Sequence, residues 1–144
     1  MPRSHVTIMG MAAGRRPTRL LIVEDNMAEI TLVRHAIQDA CPSPVEIISV
    51  LYGEDALLLL ETDAKFDLVI LDLSLPKMSG HALLQRYKPH YPPTVVFTSS
   101  LNENAAERAI ALGAREFIRK PSNYEEYIDA ICGMIERWGG SSGA

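Results

Sequence analysis

Long apolar runs are missing from this chain. No stretch approaches the ~20 consecutive apolar residues that a membrane-spanning helix needs. The weakly apolar start is broken by Thr7, Gly10 and Gly14, so a cleaved secretion signal is not expected. A basic excess is missing too: the formal net charge is −4, the opposite of a non-specific nucleic-acid binder's footprint. Cysteine is scarce. Cys41 and Cys132 form neither a metal-ligand spacing nor a disulfide framework, and they read as free thiols of a reducing compartment, with the cytoplasm as default location. No Gly-rich nucleotide loop occurs, and His5, His35, His81 and His90 have no partner at metal-ligand or triad spacing. What remains is 144 residues, 47% hydrophobic and 22% charged, enough for one domain with a real core.

Leu68-Val69-Ile70-Leu71 is an unbroken apolar run of the kind a strand buried on both faces requires, with Asp72 at its carboxyl end and Pro76 closing it off. Leu20-Leu21-Ile22-Val23 repeats the pattern and ends in Glu24-Asp25. Between these, Ile30, Val33, Ile37 and Ala40 recur at helical spacing over 27–40, stopped by Pro42 and Pro44. Val45–Val50 reads as a strand and Gly53 to about Thr62 as a Leu-rich helix. After Asp72 come a helix over Gly80–Tyr87, a strand over Thr94–Thr98, a helix from Asn102 to Leu112 capped by Gly113, and a strand over Glu116–Arg119. Ser122 with Glu125 has capping-box spacing for a final helix to about Trp138. Residues 1–17 read as a flexible leader, 18–138 as the domain and 139–144 as a flexible tail. Five strands alternating with five helices predict an α/β fold with a doubly wound parallel sheet.

A parallel sheet brings the ends of its strands to one edge, where ligands of such folds bind. Glu24, Asp25 and Asp72 then share one pocket, with Lys120 and Thr98 at neighbouring strand ends. Three carboxylates at close range repel unless a cation neutralises them, and hard oxygen donors suit Mg2+. Singly, each residue has a plainer reading: first-turn acids of a helix, a solvated lysine, a β-branched strand residue. Five polar groups on four strand ends of one edge are harder to explain by solvation.

These residues resemble a response-regulator receiver domain of two-component signalling. The resemblance is carried by Val23-Glu24-Asp25-Asn26, Leu71-Asp72-Leu73-Ser74-Leu75-Pro76 with Gly80, Phe97-Thr98-Ser99, and Gly113-Ala114 through Phe117 to Lys120-Pro121. It implies the flavodoxin-like strand order 2-1-3-4-5. It also implies that Asp72 is the phosphoacceptor for a sensor histidine kinase. Mg2+ would be bound by Asp25, Asp72 and the backbone carbonyl of Ser74, with Glu24 acting mainly through a water. Lys120 would pair with the phosphoryl oxygens, and Thr98 and Phe117 would form the switch. On that resemblance the chain is not an enzyme in its own right, although it assists its own phosphotransfer and dephosphorylation. Glu24 replaces a commoner aspartate, and Phe117 lacks the hydroxyl of a commoner tyrosine.

Only six residues follow Trp138, so a stand-alone receiver is expected, its output a protein contact or onward phosphotransfer. In the last helix Tyr124, Ile128, Ile131, Cys132 and Ile135 define a core stripe, widened on one side by Tyr127, Met134 and Trp138. Those three are the expected interface of a homodimer. Glu-Asp-Asn at 24–26, the Leu-rich second helix, Phe-Thr-Ser-Ser at 97–100 and the terminal Trp are similar to single-domain regulators paired with bacterial phytochromes, which implies a bacteriophytochrome kinase as donor. A chemotaxis-type or phosphorelay receiver with another kinase is the alternative within the family. A haloacid-dehalogenase-like phosphatase is the alternative from another class, although it wants an acid where Ser74 stands.

Overall fold

The computed structural model describes residues 4–9, 16–62, 65–88, 92–100 and 102–139. Its elements are β1 (Ser4–Met9), β2 (Thr18–Val23), α1 (Met27–Ala40), β3 (Val45–Val50), α2 (Gly53–Glu61), β4 (Leu68–Leu71), α3 (Gly80–Tyr87), β5 (Thr94–Thr98), α4 (Glu103–Ala111), β6 (Glu116–Arg119) and α5 (Tyr124–Trp138). The sheet runs β1-β3-β2-β4-β5-β6. Its five parallel strands, β2 to β6, have the expected order 2-1-3-4-5. The doubly wound α/β fold is as the sequence indicates.

Alternate residues of each strand face opposite ways, and this divides the core in two. Leu20, Ile22, Leu68, Ile70, Val95 and Phe97 pack under α1 and α5. Leu21, Val23, Val69, Leu71 and Val96 pack under α2, α3 and α4. Burying both faces explains why the strand signal is a solid apolar run instead of an alternation. Each fully buried Leu or Ile stabilises the fold by about 1.5–3 kcal/mol.

The leader expectation is corrected at residues 4–9. They form β1, which pairs antiparallel with β3 from Ser4 opposite Val50 to Met9 opposite Val45. A free β3 edge offers a row of unpaired backbone groups, and β1 supplies their partners. Arg16, at the end of the expected leader, pairs with Asp67 at 2.8 Å. In the expected tail, Gly139 closes α5, donating its N–H to the Ile135 carbonyl and accepting from the Thr18 hydroxyl at 3.3 Å. The rest of both segments lies outside the described residues.

Two expectations for the last helix also change. Its cap is Asn123, whose side chain accepts from Glu126 N–H at 3.2 Å, one residue later than the expected Ser122 pair. The buried stripe is turned accordingly: Tyr127, Ile131, Met134 and Ile135 are buried, while Tyr124 is 40% exposed. Tyr127 and Met134 therefore belong to the core and offer no partner surface. Trp138 is half-buried, its indole N–H donating to Glu116 at 2.9 Å.

The cysteines are not the free thiols expected. Packing of α5 on α1 brings Cys41, the C-cap of α1, opposite Cys132, with Cα atoms 5.6 Å apart and a disulfide between them. The two lie 91 residues apart, so spacing along the chain gave no sign of the pair. Cross-linking so long a loop restricts the unfolded chain. Reduction of the disulfide lowers unfolding stability by about 2–4 kcal/mol, read from urea denaturation with and without a phosphine reductant. Cys41→Ser gives the same loss and is insensitive to the reductant.

Candidate functional site: an acidic pocket at the carboxyl edge of the sheet

The strand ladder continues one residue past its formal ends and fixes the site. Glu24 N–H donates to Val50 carbonyl at 3.1 Å, Asp72 N–H to Val23 carbonyl at 3.0 Å, and Lys120 N–H to Thr98 carbonyl at 2.8 Å. Side chains from β2, β4, β5 and β6 thus converge with little backbone freedom. Behind Asp72 the chain turns tightly. Gly80 N–H donates to the Leu73 carbonyl at 3.0 Å, and a Cβ at position 80 would stand 2.7 Å from both the Asp72 carbonyl oxygen and Leu73 Cα. Only glycine lets α3 start so close to the loop that carries Asp72.

The Asp72 carboxylate is almost fully engaged. Oδ1 accepts from the Thr98 hydroxyl at 2.7 Å and from Ser74 N–H at 3.1 Å, and Oδ2 accepts from Lys120 Nζ at 3.2 Å. Thr98 is fully buried, so its hydroxyl is aimed by the core. Lys120 Nζ also meets Glu24 Oε1 at 2.7 Å and Glu29 Oε2 at 3.7 Å. Glu24 and Asp72 are buried while Asp25 is exposed, and one carboxylate oxygen from each lies within 4.8 Å of the others. The expected residues therefore meet, with Phe117 half-buried against the α2–α4 side of the core. Glu29 was not among them. Its signal, an acid in the first turn of α1, is ordinary for any helix.

Electrostatics separate the acids. Burial pushes the Glu24 carboxyl up to about 7, beyond what the Lys120 hydrogen bond recovers, and the neighbouring Asp72 charge adds to the rise. Burial opposes ionisation of Asp72 too, but Ser74 N–H, the Thr98 hydroxyl and Lys120 outweigh it and hold the carboxyl below its ordinary range. Burial disfavours the Lys120 ammonium, yet Glu24, Asp72 and Glu29 outweigh it and raise the lysine above its ordinary value. Asp72 is thus an ionised carboxylate beside a fixed ammonium. A carboxyl kept partly protonated near neutrality in a pool of three acids is the condition that a hard divalent cation relieves. The donor set fits Mg2+, with exposed Asp25 leaving the pool open to solvent.

The response regulator receiver domain family matches residues 20–132, which is most of the chain. The protein belongs to that family, a class of signalling phosphoacceptors served by histidine kinases and binding Mg2+ at an acidic pocket. This sets aside the haloacid-dehalogenase-like phosphatase. Among solved structures, the chain is similar to the phosphorylated cyanobacterial phytochrome response regulator RcpA, with 28% identity and a TM-score of 0.75, covering 88% of this chain and 97% of that one. It is also similar to the Mn(2+)-bound form of response regulator Rcp1, with 26% identity, a TM-score of 0.73, and 87% and 96% of the two chains covered. A curated relative, the protein-glutamate methylesterase/protein-glutamine glutaminase 1 of Methanospirillum hungatei JF-1, is 34% identical over 109 residues, which is 72% of this chain and 31% of the relative. The chain spans about a third of the length of the curated relatives it matches. Among the described residues, no helix is long and apolar enough to cross a membrane.

The raised Glu24 value has a measurable sign. A carboxyl whose pKa is higher folded than unfolded opposes folding once it ionises, so its cost appears as pH rises from about 4.5 to about 7. Asp72 is shifted downward and titrates below that window. In urea denaturation with excess EDTA, wild type loses stability relative to Glu24→Gln across pH 4.5 to 7. Saturating Mg2+ reduces that loss.

Proposed function

We propose that the chain accepts a phosphoryl group on Asp72 from the phosphohistidine of a sensor histidine kinase and thereby switches a protein-contact surface. The observation that carries this reading is the Asp72 carboxylate held ionised in a buried site by Thr98, Ser74 N–H and Lys120. A carboxylate oxygen attacks phosphorus, the N–P bond to the donor imidazole breaks, and an acyl phosphate forms. The leaving imidazole takes its proton from the donor's surroundings. Glu24, Asp25, Asp72 and the Ser74 carbonyl would hold Mg2+, which supplies neutralisation of phosphoryl charge when bound. Lys120 stands on the Asp72 Oδ2 side, where it faces the charge of an incoming phosphoryl group.

Thr98 links this chemistry to the surface. Its hydroxyl now donates to Asp72 Oδ1 and accepts from Ser100 N–H at 3.4 Å. A phosphoryl oxygen on Asp72 competes for that hydroxyl, shifts the loop after β5, and vacates space for Phe117 to move inward. The kinase we assign is a bacteriophytochrome in the cytoplasm. The likeness to RcpA and Rcp1 over almost their whole lengths supports it. The homodimer expected from α5 rests on Trp138 alone, and sedimentation of Trp138→Glu at the wild-type mass would dismiss it.

The decisive experiment is phosphotransfer from a panel of autophosphorylated histidine kinases that includes a phytochrome kinase. Wild type takes label in Mg2+ and not in EDTA, while Asp72→Asn stays at background. Lys120→Met is slower by about 10^2-fold or more, in line with loss of a charge-stabilising donor. Wild-type labelling of Asp72→Asn would remove Asp72 from its role, and transfer only from other kinases would remove the phytochrome partner.

A further inference from the structure

The Lys120 ammonium is closed in, with a side chain only 7% exposed, and faces carboxylates at 2.7, 3.2 and 3.7 Å. The two nearer ones, Glu24 and Asp72, belong to the acidic cluster with Asp25. A cation entering that cluster draws on two of the carboxylates that now neutralise Lys120. A buried ammonium that loses its counter-charges is destabilised strongly. Glu29 is the carboxylate beside Lys120 that the cluster does not include.

Glu29 is also aimed. Its Oε2, the oxygen that faces Lys120, accepts the Tyr127 hydroxyl at 2.9 Å. Tyr127 is 3% exposed and packs edge-on against Phe97, with ring centroids 5.2 Å apart. The Lys120 ammonium lies 5.9 Å from the centre of the same Phe97 ring. One core aromatic therefore borders both the lysine and the tyrosine. Burial, and then the Glu29 hydrogen bond, raise the Tyr127 hydroxyl well above its ordinary value, so it remains a donor at any working pH.

Resting on the phosphoacceptor reading above, we propose that Glu29, oriented by Tyr127, is a positioning residue that holds Lys120 in place when a cation engages Glu24 and Asp72. Without the cation, Lys120 keeps its 2.7 Å contact with Glu24 and Glu29 is redundant. With it, Glu29 is the remaining counter-charge, and Tyr127 keeps that charge from swinging into solvent. The site thus extends from the sheet edge into the α1–α5 helix pair. A plain brace between α1 and α5 would be indifferent to the cation, and this separates the two roles.

The test uses the full chain, acetyl phosphate as the small phosphodonor, and Mg2+. Glu29→Gln is phosphorylated more slowly at saturating Mg2+ and binds Mg2+ more weakly, each on the order of tenfold. Tyr127→Phe is slowed in the same direction, and the double variant is no slower than Glu29→Gln alone. A second measurement needs no phosphoryl group: Glu29→Gln lowers the melting temperature more in saturating Mg2+ than in EDTA. Wild-type phosphorylation of Glu29→Gln, or equal melting losses with and without Mg2+, overturns the proposal. A wild-type chain that takes no label overturns the phosphoacceptor reading instead, and the melting comparison still decides the role of Glu29.

Discussion

A single ammonium ion buried among carboxylates is the constraint on which this molecule depends. Lys120 has almost no access to water, and its charge is tolerable because carboxylates face it, Glu24 at 2.7 Å and Asp72 at 3.2 Å, with Glu29 further off at 3.7 Å. Those acids in turn could not sit so close without it. Glu24, Asp72 and Lys120 are placed by backbone bonds that continue the sheet ladder past the strand ends, and Glu29 stands in the first turn of α1. The sheet gathers charge at one edge, in an arrangement that a cation there would redistribute.

The two faces of the sheet take different parts. Under α1 and α5 lie Phe97 and Tyr127, which connect the lysine to the helix pair cross-linked by Cys41 and Cys132. Under α2, α3 and α4 lies the other half of the core, with half-buried Phe117 packed at its margin. Thr98 stands at the end of the strand between these regions, touching Asp72 and the loop that leads to α4. Asp72 therefore has the disulfide-linked helix pair on one side and the α2–α4 half of the core on the other.

The parallel strands were readable because burial on both faces writes them as unbroken apolar runs, and the site was readable because its residues terminate those runs. Features held by distant pairing were not. β1 depends on β3, more than 35 positions along, for every ladder bond, and its own six residues carry little signal. The Cys41–Cys132 and Tyr127–Glu29 contacts span 91 and 98 positions. Tyr127 misled for a physical reason: an amphipathic ring suits an exposed stripe as well as a core, and only its partner Glu29 explains why it is inside. The turned stripe of α5 has the same origin, since Tyr124 also carries a polar tip, bonded to Asp39 at 2.8 Å.

The strand β1 has a bearing on how the chain behaves among copies of itself. A bare β3 would present six residues of open ladder, backed by a dry apolar core, as a template for intermolecular strand addition. By pairing antiparallel with β3, β1 covers that strand and becomes the border of the sheet itself. Cover of β3 is thus tied to a short segment that contributes nothing to the acidic pocket. Proteolytic clipping before Thr18 would leave the pocket chemically intact while exposing a surface prone to fibrous association.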